Sequence, residues 1–279
     1  MSTIFETRYA SSPKAVKQYN TKQLRDEFLI PDLMQTGKVK FVYTHYDRYM
    51  AGGAVPTSDL KLETIDPLKA DYFLERRELG IINVGGSGSI SVDGDIFKVN
   101  HKDALYIGKG AKDVIFMSDD RSNPAKFYMN SAPAHKAYAT KKTSLAEANK
   151  IELGSLETAN HRTVSQMIIG GIITTCQLQM GMTELKTGSV WNTMPAHVHD
   201  RRMEIYFYLD VPKEQAVCHF MGQPQETRHI WMHNHEAVIS PPWSIHSGSG
   251  TSNYTFIWGM AGENLDYNDM DVAKITDLR

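Results

Sequence analysis

Within the stretch PAHVHDRRMEIYFYL, residues 195–209, His197 and His199 stand one residue apart, and Glu204 follows as an apolar run begins. Two imidazoles and a carboxylate make a borderline-hard nitrogen and oxygen donor set, suited to Zn2+, Mn2+, Fe2+ or Ni2+. On a strand, side chains at i and i+2 share a face, so His197 and His199 point the same way. Glu204 lies five residues beyond His199, the wrong parity for a straight strand, so Asp200-Arg201-Arg202 must supply a bulge or bend. A firmly held ion needs a fourth protein ligand. His246, in SPPWSIHSG at the exit of another strand-like run, is the candidate.

Other residues compete for places around this set. The second His-x-His, His233 to His235, sits in a polar turn ahead of EAVISPP, where a hairpin tip would turn both imidazoles to solvent. His45, His101, His135, His161, His219 and His229 are isolated and read as structural or surface residues. Tyr206 and Tyr208 share parity with Glu204 and could line the same cavity or pack as core aromatics; Thr193 shares parity with His197. Arg162, Arg202 and Arg228 are candidates to grip an anionic substrate through bidentate hydrogen bonds, although most arginines simply solvate a face. The glycine-rich run Gly85–Ser89 lacks both a Lys-Ser/Thr ending and a following helix, so it is not a phosphate loop.

The elements that must position these residues are mainly β. SPKAVKQYNTKQLRDEFLI reads as a helix with Ser12 as N-cap ahead of Pro13, and TSLAEANKIELG reads as a shorter one capped by Thr143 or Ser144. Elsewhere short strands alternate with turn residues. Ile90 and Val92, the DGD turn at 93–95, then Ile96 and Val99 spell a hairpin, with a further strand at Ala104–Ile107. Asn100–Gly110 and Asn234–Gly248 each run from a polar turn through an apolar strand to a glycine- or proline-marked exit. This weak internal repeat predicts two similar β-sandwich or barrel halves, joined near residues 140–160, with a ligand at the mouth of a barrel.

Bulk properties narrow the function. The 279 residues suffice for one large or two ordinary domains, and 41% hydrophobic with 22% charged residues suits a globular chain. A net charge of −2 without a basic block argues against a nucleic-acid partner. Runs such as MIIGGII are too short to span a bilayer, and the N-terminal stretch has no signal-like apolar core. The two cysteines, Cys176 and Cys218, read as small packed hydrophobes in a reducing compartment, so the cytoplasm is expected.

The pattern His-x-His-x4-Glu, with Pro-x4-His about forty residues on, resembles the two metal motifs of the cupin superfamily. Trp243 and Gly250 depart from the broad pattern where glycine and asparagine are usual. The strings YFLERRELGIINVGG, DALYIGKGAKDVIF, PAKFYMNSAPAH, WNTMPAHVHDRRMEIYFYL, MGQPQETRHIWMHN and WSIHSGSGTSNYTFIWGMAGENLDYNDMD resemble a narrower group across nearly the whole chain, the 5-keto-4-deoxyuronate isomerase family. That resemblance implies an all-β bicupin of two jelly-roll barrels with a few short helices. Residues 1–150 would form a metal-free barrel for packing and assembly, and 151–279 a barrel holding one Zn2+ on His197, His199, Glu204 and His246. It further implies a cytoplasmic homohexamer acting on a small uronate in pectin breakdown, with no nucleic-acid or membrane partner. The implied reaction moves a proton between C2 and C1 of 4-deoxy-L-threo-5-hexosulose uronate through an enediol. Tyr206 is then a candidate proton donor, with Arg162, Arg202 and Thr193 as further site residues. The alternatives are the related 5-deoxy-glucuronate isomerase of inositol breakdown, a metal-dependent dioxygenase, and a sugar-acid binding module without turnover.

Overall fold

The computed structural model describes residues 3–279; Met1 and Ser2, the start of the expected first barrel, lie outside them. The chain forms two compact units, each built from a seven-stranded and a four-stranded sheet. The first comprises the N-terminal strand Thr3–Arg8, then Asp32–Ala148 and Met167–Met180; the second comprises Tyr9–Pro31, Asn149–Gln166 and Gly181–Arg279. A single cut at residue 150 therefore divides the bulk of the chain in the same place but not residues 9–31 and 167–180, which each cluster with the other half.

The all-β, two-barrel architecture expected from the sequence is the one observed. In the first unit the larger sheet is centred on the antiparallel strands Arg77–Asn83 and Phe127–Pro133. The smaller sheet carries the hairpin of Gly88–Val92 and Asp95–Val99, joined through Asp93 and Gly94 at φ 50° and 96°. Two consecutive positive φ angles make the turn whose twist matches a right-handed strand pair, and Gly94 adopts its angle without a Cβ penalty. Leu79 and Ile81 from the larger sheet, with Ile90 and Phe116 from the smaller, share one buried core cluster. The interior of this barrel is filled by hydrocarbon.

In the second unit the strand Arg202–Leu209 lies between Thr255–Gly262 and Ala237–Ser240 and is buried along its whole length. The predicted internal repeat is visible here. Ala104–Ile107 pairs with the first unit's Arg77–Asn83 as Ala237–Ser240 pairs with Arg202–Leu209, and each follows a turn with a left-handed residue, Lys102 or His235. Both central strands begin with arginine, and their third residues are Leu79 and Glu204.

Two helix expectations are corrected. The N-terminal helix is broken into Pro13–Val16, capped by Ser12, and Thr21–Phe28. The break is Asn20, whose side chain accepts from the Gln23 backbone while Gln23 returns a bond to the Asn20 backbone; this capping box starts a new helix inside the expected one. Residues 143–154 form no helix. Ser144 and Glu147 exchange the bonds of a capping box within a turn, but Asn149–Leu153 then pairs as an edge strand with Arg162–Ile168. Sheet pairing overrides a modest local helical preference. Among the described residues no helix is long and apolar enough to cross a membrane.

One buried polar group organises the first unit. Glu78 is fully buried, and its carboxylate accepts the backbone N–H groups of Cys176, Gln177 and Leu178 at 2.8, 2.9 and 2.9 Å and the Tyr106 hydroxyl at 2.8 Å. Removing the carboxylate strands those donors, each costing about 1–3 kcal/mol when buried and unpaired. Glu78→Ala is expected to lower stability by at least about 3 kcal/mol and Glu78→Gln by less, read from urea midpoints. Equal midpoints for wild type and Glu78→Ala would contradict this role.

Candidate metal centre

His197 lies on the two-residue strand His197–Val198, which pairs with Asp271–Val272 from the C-terminal segment. After it the chain bends through residues 199–201, with the His199 N–H on the Pro242 carbonyl at 3.1 Å. This is the bend that the parity of Glu204 requires. It returns the Glu204 side chain, on the central strand, to the face carrying both imidazoles. His246 arrives from a different route than expected: it directly precedes Ser247–Gly250, after the turn that follows Ala237–Ser240, rather than standing on a strand exit. The ligand atoms of His197, His199, Glu204 and His246 all lie within 4.8 Å of one another.

The contacts inside this cluster bear on what it can hold. His199 Nδ1 meets the Asp269 carbonyl oxygen at 2.7 Å. A carbonyl only accepts, so the ring carries a proton on Nδ1 and turns Nε2 toward the cluster. His199 Nε2 lies 2.9 Å from Glu204 Oε1, and His246 Nε2 lies 2.8 Å from His197 Nε2. Each contact is short enough for a ring N–H or a shared cation to join the two atoms. Donors around a tetrahedral Zn2+ with bonds of about 2.0–2.1 Å would stand roughly 3.3 Å apart, a spacing within the range over which these ligand atoms are spread.

Electrostatics favour the metal-ready protonation state. Burial, reinforced by the neighbouring imidazoles, lowers His197 to about 3, and burial lowers His246 to about 4 despite the Glu204 charge. Burial alone would raise the Glu204 carboxyl, but His246, His199 and His197 outweigh it and hold the group well below the usual carboxylate range. At neutral pH the site therefore offers His197 and His246 as neutral imidazoles and Glu204 as an anion, forms able to ligate a divalent ion. His246 Nδ1 contacts Ser240 Oγ at 3.1 Å, which with the Asp269 carbonyl on His199 orients two of the rings from outside.

The cluster opens into a cavity of about 440 Å3 lined by His197, His199 and Glu204. Tyr206, Thr193 and Arg162 also line it, and the Tyr206 hydroxyl lies 3.1 Å from Thr193 Oγ1. Thr193 does not reach it by strand parity. It has a left-handed φ of 47°, next to the cis Met194–Pro195 bond, beyond the short strand Trp191–Asn192. Arg162 is half-buried, with Nη1 on the Asn160 carbonyl at 2.8 Å. Tyr208 points deeper into the barrel and contacts His219 Nδ1 at 2.8 Å, outside the cavity lining. His233 is exposed, and neither it nor His235 joins the cluster.

Two arginines expected near substrate lie elsewhere. Arg228 contacts the Lys17 and Tyr19 carbonyls. Arg202 is 1% exposed, and its guanidinium donates to the carbonyls of Asn264, Asp266, Tyr267 and Asp269. Its donors are taken up by the backbone, so it grips the C-terminal strap and not an anion. Through that strap it steadies Asp269, whose carbonyl also receives His199. The strap supplies Tyr267, Asn268, Met270 and Val272 to the cavity wall, and Trp258 packs on Tyr267 at 5.5 Å. Residue spacing did not point to these positions, because they carry no metal-ligand or charged signature; the one hint was the polar run NLDYNDMD after the last long strand.

The KduI/IolB family profile matches residues 28–275. Over 100% of both chains, the protein is 77% identical to the 4-deoxy-L-threo-5-hexosulose-uronate ketol-isomerase of Formosa agariphila and 56% identical to the protein of that name from Bacteroides fragilis strain YCH46. Among solved structures, an IolB-like protein from Salmonella typhimurium LT2 superposes with a TM-score of 0.68 at 12% identity, covering 88% of this chain and 96% of that one, a likeness of fold. Matched along most of its length by the profile and end to end by these relatives, the chain belongs to the KduI/IolB family.

Proposed function

We propose that the second barrel isomerises 4-deoxy-L-threo-5-hexosulose uronate to 3-deoxy-D-glycero-2,5-hexodiulosonate, with one zinc ion held by His197, His199, Glu204 and His246. The observation that carries this reading is the convergence of four ligand groups at the wall of a cavity, in a chain that aligns end to end with ketol-isomerases. A divalent cation held there would polarise the C1 carbonyl and stabilise the negative charge that develops as C2 loses its proton.

A base in the cavity takes the C2 proton and a proton is returned at C1, while the chain's own residues bind the substrate and hold a proton donor. The substrate has an aldehyde at C1, a hydroxyl at C2 and a carboxylate at the far end. Arg162 is the only Lys or Arg among the described lining residues, so it is the group assigned to that carboxylate. Burial, and then the Glu204 charge, push the Tyr206 phenol well above its ordinary value, so it keeps its proton and acts as a donor to an enediolate oxygen. Thr193 orients that hydroxyl. Phe256, Trp258 and Met260 give the cavity an apolar wall, which strengthens these polar contacts by keeping water away. A volume of about 440 Å3 suits a six-carbon acid.

A cytoplasmic homohexamer serving pectin breakdown completes the proposal. The family resemblance supports the assembly and the pathway, and the unbridged Cys176 and Cys218 suit a reducing compartment.

Elemental analysis of His246→Ala should find the metal lost, while the His233→Ala/His235→Ala double variant retains it; full occupancy in His246→Ala would remove the ligand assignment. Arg162→Gln should raise KM about tenfold with kcat changed far less, because the carboxylate is bound alike in the ground and transition states. A fall in kcat at constant KM would contradict this. Turnover in D2O should place deuterium at the former aldehyde carbon, C1 of the substrate, without O2 uptake. Retention of the substrate's own hydrogen would replace the enediol route with a hydride shift, and O2 consumption matching product would exclude isomerisation altogether.

A further inference from the structure

The first unit contains a cavity of about 200 Å3 whose lining includes Arg48, Arg76 and Arg77 but no aspartate or glutamate. Tyr43, Phe73 and Pro133 complete much of its wall. Arg77 is 4% exposed, and arginine is rarely buried to this degree without a carboxylate partner. Here Nε donates to Ser131 Oγ at 3.0 Å, and Nη2 donates to the Arg48 and Ser131 carbonyls at 2.8 Å each. All of these acceptors are neutral. Among the described residues Nη1 has no acceptor, and no carboxylate lies within ion-pair distance of the guanidinium. The adjacent Glu78 carboxylate is already committed to backbone N–H groups and Tyr106.

The internal repeat sharpens the contrast. Arg202 opens the equivalent strand of the second unit, and there the guanidinium is saturated by four strap carbonyls. Arg77 has no such strap, and it holds instead the carbonyl of a second arginine. By fixing Arg48 O, it anchors a loop in which Asp47 and Arg48 both have left-handed φ angles, 45° and 54°. Arg48 is exposed, with no carboxylate partner among the described residues, and the exposed Arg76 is paired only with its half-buried neighbour Glu75 at 2.9 Å. Three guanidinium groups thus border one small cavity, and the buried one lies over the Tyr43 ring at 5.8 Å and hydrogen-bonds to no carboxylate. Burial lowers the Arg77 group to about 10, with the Arg48 charge adding to the fall against the pull of Tyr43 and of the Glu78 carboxylate, and at neutral pH it remains a cation.

We propose that this cavity binds a small oxyanion, a carboxylate or phosphate group on a ligand of few non-hydrogen atoms, with Arg77 Nη1 as the inner, unpaired donor and Arg48 and Arg76 as cations at the rim. The volume is below the range of drug-sized ligand sites, which fits a single small anion. Planar guanidinium donors match either oxyanion, so the chemistry is shared and the source is a matter for experiment. The site is independent of the isomerase reading, because all of its lining residues belong to the first unit.

The test is calorimetric titration of the full-length, metal-loaded protein with inorganic phosphate and, separately, with glycolate, at ionic strength held constant with chloride. Saturable binding near one site per chain is expected for at least one anion. Phosphate alone, glycolate alone or both would each support the site and identify the group it prefers. In Arg48→Gln/Arg76→Gln the dissociation constant should rise about tenfold or more, with isomerase turnover in the absence of the anion unchanged. Arg162→Gln should leave the binding intact, separating it from the second-barrel cavity. Absence of saturable binding, binding unaltered in the Arg48→Gln/Arg76→Gln protein, or its loss in Arg162→Gln would each overturn the proposal.

Discussion

Three imidazoles and one carboxylate are held with their ligand atoms within 4.8 Å of one another inside a barrel. Much of the second unit serves to keep that cluster assembled. The bend at residues 199–201 brings Glu204 onto the face of the two histidines. The Asp269 carbonyl fixes one ring through Nδ1, and Ser240 contacts another. Folding therefore preassembles the donor set, so that the free energy of binding a cation there would add to the stability of the native site.

The C-terminal strap is the second half of this construction. Arg202 collects carbonyls from residues 264, 266, 267 and 269, which would otherwise be awkward to satisfy in an irregular segment. The same segment covers the cavity with Tyr267, Asn268 and Met270 and closes on His197 through the pairing of Asp271–Val272 with His197–Val198. A buried arginine thereby holds the segment that contacts His199 without itself touching the four-residue cluster.

The two units show how one strand plan is put to different uses. At the third position of the central strand the first unit has Leu79, within a hydrocarbon core, and the second has Glu204, among imidazoles. At the first position both have arginine, and the difference lies in what surrounds it: carbonyls of a returning strap in one case, an arginine-lined cavity in the other. Side chains alternating across a strand allow this, because a single position can be exchanged without altering the register that holds the sheet.

What the sequence alone determined was chemistry and local pattern. Two histidines of like parity, a glutamate whose parity demands a bend, and a further histidine after a Pro-Pro turn were enough to name the four converging groups, because donor type and strand period are properties of residues and their spacing. The Asp93-Gly94 hairpin and the Ala104–Ile107 strand were legible for the same reason. Tertiary structure decided what depends on partners distant in the chain. Whether Arg202 faces substrate or backbone was settled by carbonyls more than sixty residues away, and whether residues 143–154 form a helix was settled by the strand beside them. Thr193 reached the cavity through a left-handed turn that no alternation rule describes, and Tyr267 entered from a strap with no periodicity of its own. Local sequence carries each residue's preference, but a buried donor takes whichever acceptor the fold brings to it, and that pairing exists only once the chain has closed on itself.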